Sequence, residues 1–78
     1  MQTPQPLSDP RLVVLHDVEY FIFWDQVPIG ASFFLPTTAT PRQALDALKP
    51  ASKALKIKLE ARPRREYGRY GVRVWRVG

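Results

Sequence analysis

The sequence predicts a small α+β domain in which a β-hairpin, a helix and a second β-hairpin follow one another, the helix covering one face of an antiparallel sheet of four or five strands. Three observations carry that reading. Residues 20–35 form two apolar stretches separated by a turn, Thr40 and Pro41 open a helical pattern, and residues 56–62 and 72–77 alternate between apolar and polar side chains. Seventy-eight residues suffice for one domain, and a chain of this size buries only about 60% of its unfolded surface. Apolar clusters are therefore assigned to the core first.

Residues 1–10 hold Pro4, Pro6 and Pro10 among Gln, Thr and Ser, so a flexible tail is expected there and the folded domain spans 11–78. Residues 11–24 are rich in Val, Leu, Tyr, Phe and Ile and read as strand, interrupted near His16 and Asp17 where two polar residues fall together. Tyr20, Phe21, Ile22, Phe23 and Trp24 are apolar on both faces, which suits a strand covered on both sides or one that meets a partner. Val27, Pro28, Ile29 and Gly30 fit a type I turn with proline second and glycine fourth. Residues 31–35 then return as the antiparallel partner of residues 20–24 and stop at Pro36, with Phe33 and Phe34 on opposite faces.

Thr40 offers a hydroxyl to a free backbone N–H, and Pro41 suits the first helical position. Ala44, Leu45, Leu48, Ser52 and Leu55, flanked by Ala47, Ala51 and Ala54, make one stripe that covers the sheet. Pro50 conflicts with it. Inside a helix it deletes the hydrogen bond to Asp46 at a cost of ~3 kcal/mol, so a kink or a break into two short helices is expected. In residues 56–62, Ile57, Leu59 and Ala61 face inward while Lys56, Lys58, Glu60 and Arg62 face out. Pro63 marks an edge or a strand end, and residues 64–71, with Gly68 and Gly71, read as the reversal. The last strand, 72–77, sets Val72 and Val74 on one face and Arg73, Trp75 and Val77 on the other.

Charge divides the chain. Residues 1–38 carry Arg11 alone against four acids, whereas residues 39–78 carry eleven basic residues against Asp46, Glu60 and Glu66. Segregation of this kind can give one side a potential that attracts a polyanion before contact. Hydrolytic or metal chemistry lacks its ingredients. His16 is the sole histidine and with Asp17 and Glu19 offers at most a weak cation site; the four glycines match no phosphate loop; Ser8, Ser32 and Ser52 have no base at a telling spacing. A non-enzymatic protein without cofactor or metal is expected. With no cysteine, no disulfide or thiolate zinc site supports the core, and a reducing cytoplasm fits. The longest apolar stretch has five residues against the roughly 20 that cross a bilayer, and no signal peptide is visible, so no membrane partner is expected.

Binding is better supplied. Single-strand recognition needs cations that track phosphates and flat rings on which bases stack, each stack worth ~1–3 kcal/mol. Lys56, Lys58, Arg62, Arg73 and Trp75 can project from one face, and the reversal adds Arg64, Arg65, Tyr67, Arg69 and Tyr70. A ribbon with Arg64, Arg65 and Arg69 at its tip can instead enter a duplex groove. The competing account makes Trp75 core and the alternating lysines guards of an edge strand. Tyr20, Phe21, Phe23, Trp24, Phe33 and Phe34 pose a second question, since an open sheet face would leave some of these rings as a protein interface or dimer contact.

Residues 27–36, reading VPIGASFFLP, and 71–77, reading GVRVWRV, bracket the helix in an arrangement that resembles small proteins of tailed bacteriophages and prophages. The resemblance covers roughly residues 20–77 and implies a phage origin, a bacterial host cell and a compact α+β fold, with no catalytic residues to carry over. Small phage proteins handle nucleic acid or redirect a host enzyme. Two functions follow: binding of DNA or RNA through residues 56–76, or docking on an acidic host protein such as RNA polymerase or a nuclease, with the aromatic hairpin as anchor.

Overall fold

The computed structural model describes residues 9–78, so the tail expected over 1–10 lies, for residues 1–8, outside the described residues. The α+β class and the order hairpin, helix, hairpin hold, and five strands form two antiparallel sheets. Strands β1 (Leu12–Leu15) and β2 (Val18–Phe21) make the first sheet. Strand β3 (Ser32–Pro36), helix α1 (Pro41–Leu55), and strands β4 (Leu59–Glu66) and β5 (Arg69–Arg76) follow, and the second sheet has the order β3-β5-β4.

The first hairpin differs from expectation. Residues 20–24 do not pair with 31–35; β2 folds back on β1 with Val13 opposite Tyr20 and Leu15 opposite Val18. The reversal falls on His16 and Asp17, both at positive φ (50° and 62°), as a two-residue turn matched to strand twist requires. The polar pair that reads as an interruption is the turn itself. Strand β3 pairs instead with β5, Phe33 opposite Val74 and Leu35 opposite Val72. Beyond β2 the chain bends into a 3-10 turn at Trp24–Gln26, which swings the Trp24 ring into the core, where its Nε1–H donates to the Pro10 carbonyl at 2.8 Å. The following turn is shifted by one residue: the Ala31 N–H donates to Pro28 O at 2.9 Å, and Gly30 sits third with φ 94°, the type II position that favours glycine.

Helix α1 begins as expected. The Thr40 hydroxyl accepts from the Gln43 N–H (3.1 Å), and the Gln43 side chain accepts from the Thr40 N–H (2.9 Å), a reciprocal cap. Contrary to expectation the helix runs unbroken through Pro50. Pro50 and Asp46 are both exposed, so the Asp46 carbonyl that loses its partner has access to water. Ala44, Leu48 and Ala51 are buried against β4 and β1, so one helix covers a strand from each sheet.

Strand β4 also overrides its proline. The bond from Val77 N–H to Lys58 O fixes which residues face β5, and by alternation Glu60, Arg62 and Arg64 make the ladder bonds while Pro63 lies between them. The missing N–H of Pro63 therefore belongs to the outer edge, and the strand continues to Glu66. The reversal expected over 64–71 contracts to Tyr67 and Gly68, at φ 56° and 73°. Leu48, Val72 and Val74 are wholly buried, each worth ~1.5–3 kcal/mol of burial, and Val13, Leu15, Ile22, Trp24 and Leu35 join them. The Tyr20 hydroxyl donates to the Pro36 carbonyl and ties the two sheets together. Among the described residues no helix is long and apolar enough to cross a membrane.

Candidate nucleic-acid interface

Strand register decides which predicted residues meet. On the core face of the second sheet, Ala61 lies opposite Val74 and Pro63 opposite Val72. The other face holds Glu60 opposite Trp75, Arg62 opposite Arg73, Arg64 opposite Gly71 and Glu66 opposite Arg69, with Ser32, Phe34 and Pro36 completing it from β3. Arg62, Arg64, Arg69, Arg73 and Trp75 thus share one face, and the helix packs on the opposite one. Gly71 is needed in this layer because the Phe34 ring crosses it; a Cβ there would meet Phe34 at 2.5 Å and Leu35 O at 2.3 Å.

The predicted set does not stay whole. Arg65 and Tyr70 form a cross-strand pair on the core-side face, the guanidinium 4.8 Å from the ring centroid. Lys56 caps the helix in the left-handed conformation, at φ 57°, and belongs to no strand. Lys58 precedes β4, where its backbone continues the ladder with Val77 and its side chain lies beside Gly78. Tyr67 and Tyr70 are strongly exposed.

Arginines on the shared face differ in their commitments. Arg73 Nε and Nη2 donate to the two Glu66 carboxylate oxygens, each at 2.7 Å, and Nη1 donates to Ser32 Oγ at 2.7 Å. This fork holds the Glu66 carboxyl below the ordinary carboxylate range and raises the Arg73 guanidinium above its own ordinary value. Arg73 therefore braces β3 to the tip of β4. It also turns its charge away from Arg62, which stands directly opposite. Among the described residues Arg62, Arg64 and Arg69 enter no ion pair. Arg64 lies over the half-buried Trp75 indole, 5.3 Å from the ring centroid. Beside them is an open depression of about 460 Å³ walled by Ile29, Glu60, Arg62, Arg64, Trp75 and Arg76. Arg76 is committed to backbone, donating to Val27 O and Gly78 O at 3.0 Å each.

Sequence reasoning sets Glu60 on this outward face with Arg62 but misses Ser32 and Glu66 as members of the surface. The signal for Glu66 is the Tyr67-Gly68 turn, which fixes the β4–β5 register; with residues 64–71 taken as a loop, no cross-strand partner can be assigned, and Ser32 depends on the long-range pairing of β3 with β5.

The aromatics assigned to a protein interface separate as well. Trp24 is core, packed edge-to-face on Phe33 with centroids 5.7 Å apart, and Tyr20, Phe33 and Phe34 are half-buried. Only Phe21 and Phe23 of that set stand out, 54% and 50% exposed, as an edge-to-face pair 5.9 Å apart with Arg11 over Phe21. Among the described residues no group of three potential ligands could hold a metal. No protein-family model matches this chain, and no curated protein or solved structure is significantly similar to it.

Proposed function

We propose that this is a non-enzymatic nucleic-acid-binding protein that lays the outer face of its three-stranded sheet along a phosphate backbone. The supporting observation is the sheet face opposite the helix, on which Arg62, Arg64 and Arg69 stand beside Trp75 and, among the described residues, enter no ion pair. Arg62 and Arg69 supply phosphate contacts, Arg73 is held in place by Glu66 and Ser32, and Trp75 with the Arg64 guanidinium over it supplies a stacking surface. Together with the resemblance of residues 27–36 and 71–77 to phage and prophage proteins, this reading puts the protein in the cytoplasm of a bacterial host cell.

Fluorescence anisotropy with labelled single-stranded DNA and RNA tests it. Affinity is expected to fall with salt at a log-log slope of roughly −0.7 per phosphate neutralised. Arg62→Glu, Arg64→Glu and Arg69→Glu together are expected to weaken binding by about 100-fold or more with the fold intact by circular dichroism. Absence of binding to either polymer at low salt overturns the reading.

One observation favours docking on a host protein instead. Leu12, Val14 and Phe21 share the outer face of the first hairpin, all exposed, and Phe23 extends the patch. Affinity capture from nuclease-treated host lysate separates the two: a stoichiometric protein retained by the native chain and lost with Phe21→Ser/Phe23→Ser supports docking.

A further inference from the structure

We infer that the depression beside Trp75 is a subsite for a single nucleobase and that it selects guanine. The inference rests on the nucleic-acid reading and adds a ligand identity to it. The depression measures about 460 Å³, room for a base with its sugar, and it opens on the same face as the unpaired arginines. Its floor is already a stack, with the Arg64 guanidinium 5.3 Å from the Trp75 ring centroid. Nucleobases stack both on indoles and on guanidinium planes. A base entering here extends that stack by one layer.

Selectivity comes from Glu60. It lies directly opposite Trp75 in the ladder and lines the depression between Arg62, Arg64 and Arg76, yet among the described residues it enters no ion pair with them. An acidic side chain on a phosphate-binding face opposes the polyanion, so its two acceptor oxygens are best satisfied by donors on the ligand itself. Guanine fits that demand, because N1–H and the N2 amino group present two adjacent donors, one to each carboxylate oxygen. Adenine and cytosine each set one amino donor beside a ring-nitrogen acceptor that a carboxylate repels. Uracil and thymine offer one N–H between two carbonyls. Arg62, free at the rim, is then available to the phosphate of the same nucleotide.

The test uses anisotropy on ten-residue thymine strands carrying at one central position guanine, hypoxanthine, adenine or cytosine. One guanine is expected to raise affinity about 10-fold over the all-thymine strand, adenine and cytosine to leave it unchanged, and hypoxanthine, which keeps N1–H but lacks the amino group, to fall between. Glu60→Gln is expected to abolish the guanine preference while raising affinity for the all-thymine strand, since a negative charge leaves the face. Trp75→Ala is expected to weaken every strand. Equal affinities for all strands, with a steep salt dependence, overturn the guanine subsite and leave nucleic-acid binding standing. Failure of every strand to bind at low salt overturns both. A preference that persists in Glu60→Gln removes the assigned role of the carboxylate.

Discussion

The two hairpins turn in the same way and present opposite chemistry. Each reverses through two residues at positive φ, His16 and Asp17 in one, Tyr67 and Gly68 in the other. The first pairs four residues per strand and shows Leu12, Val14 and Phe21 to solvent; the second pairs eight and shows arginines. Backbone geometry therefore fixes only that a ribbon forms, and the alternate outward positions decide what it offers. Their ion pairs differ too. Asp9 and Arg11 are two residues apart and largely solvated, with side chains 35% and 51% exposed, whereas Glu66 and Arg73 join different strands and are 19% and 22% exposed. Both pairs are bidentate, but the solvated local one contributes little, while the more buried pair of the second hairpin joins two strands and positions a surface.

The strongest challenge to this contrast is to remove what the hairpins share. Leu48 is wholly buried in a helix packed on both β1 and β4, so Leu48→Ala is expected to cost about 2–5 kcal/mol and to loosen both hairpins together in a denaturant titration followed by amide exchange. Loss of protection in one hairpin alone would show that they are separate folding units. The turns come next. Gly68→Ala forces a side chain into the left-handed region, though into open space, and is expected to cost about 1–2 kcal/mol in thermal or urea unfolding. Asp17→Gly relieves the equivalent strain and is expected to stabilise by less than about 1 kcal/mol, because aspartate tolerates that conformation better than most residues. Opposite signs at matching turn positions would sharpen the comparison.

Acid gives the smallest effect. The Glu66 carboxyl is held below its ordinary value, so its contribution is present above the unfolded glutamate pKa near ~4.3 and is lost as pH falls through the lower folded value. Below about pH 4, lower amide protection factors, taken against the intrinsic exchange rate at each pH, are expected at the tip of the second hairpin, and Glu66→Gln should show that loosening already at neutral pH. Asp9 titrates in the same direction, but its solvated pair gives the first hairpin little to lose.

Much of this was legible in the residues, where the signal is local. Thr40 and Gln43 announce the helix start, and the alternation of Leu59 and Ala61 with charged neighbours sets the inner face of β4, although the strand begins three residues later than the alternation does. Two kinds of information were not local. The pairing of β3 with β5 joins residues about forty positions apart, and no composition rule distinguishes it from pairing with the nearer strand. Both tight turns also hide, because His16-Asp17 and Tyr67-Gly68 lack the Asn-Gly or Asp-Gly signature that normally reveals them. Of the proposed site, the residue types and the face of Arg62, Arg73 and Trp75 could be read in advance. The bracing of Arg73 by Glu66 and Ser32, and the placing of Glu60 against Trp75, depend on a register that only the fold supplies.

Pro63 has one more effect. Strand β4 borders its sheet, and the backbone positions turned outward there are Leu59, Ala61, Pro63 and Arg65. A second molecule seeking to add a strand would find the row of amide hydrogens broken at its middle and arginine at its end. Strand addition at that border thus has no continuous template to copy, and the sheet's other border, β3, is five residues long and ends at Pro36.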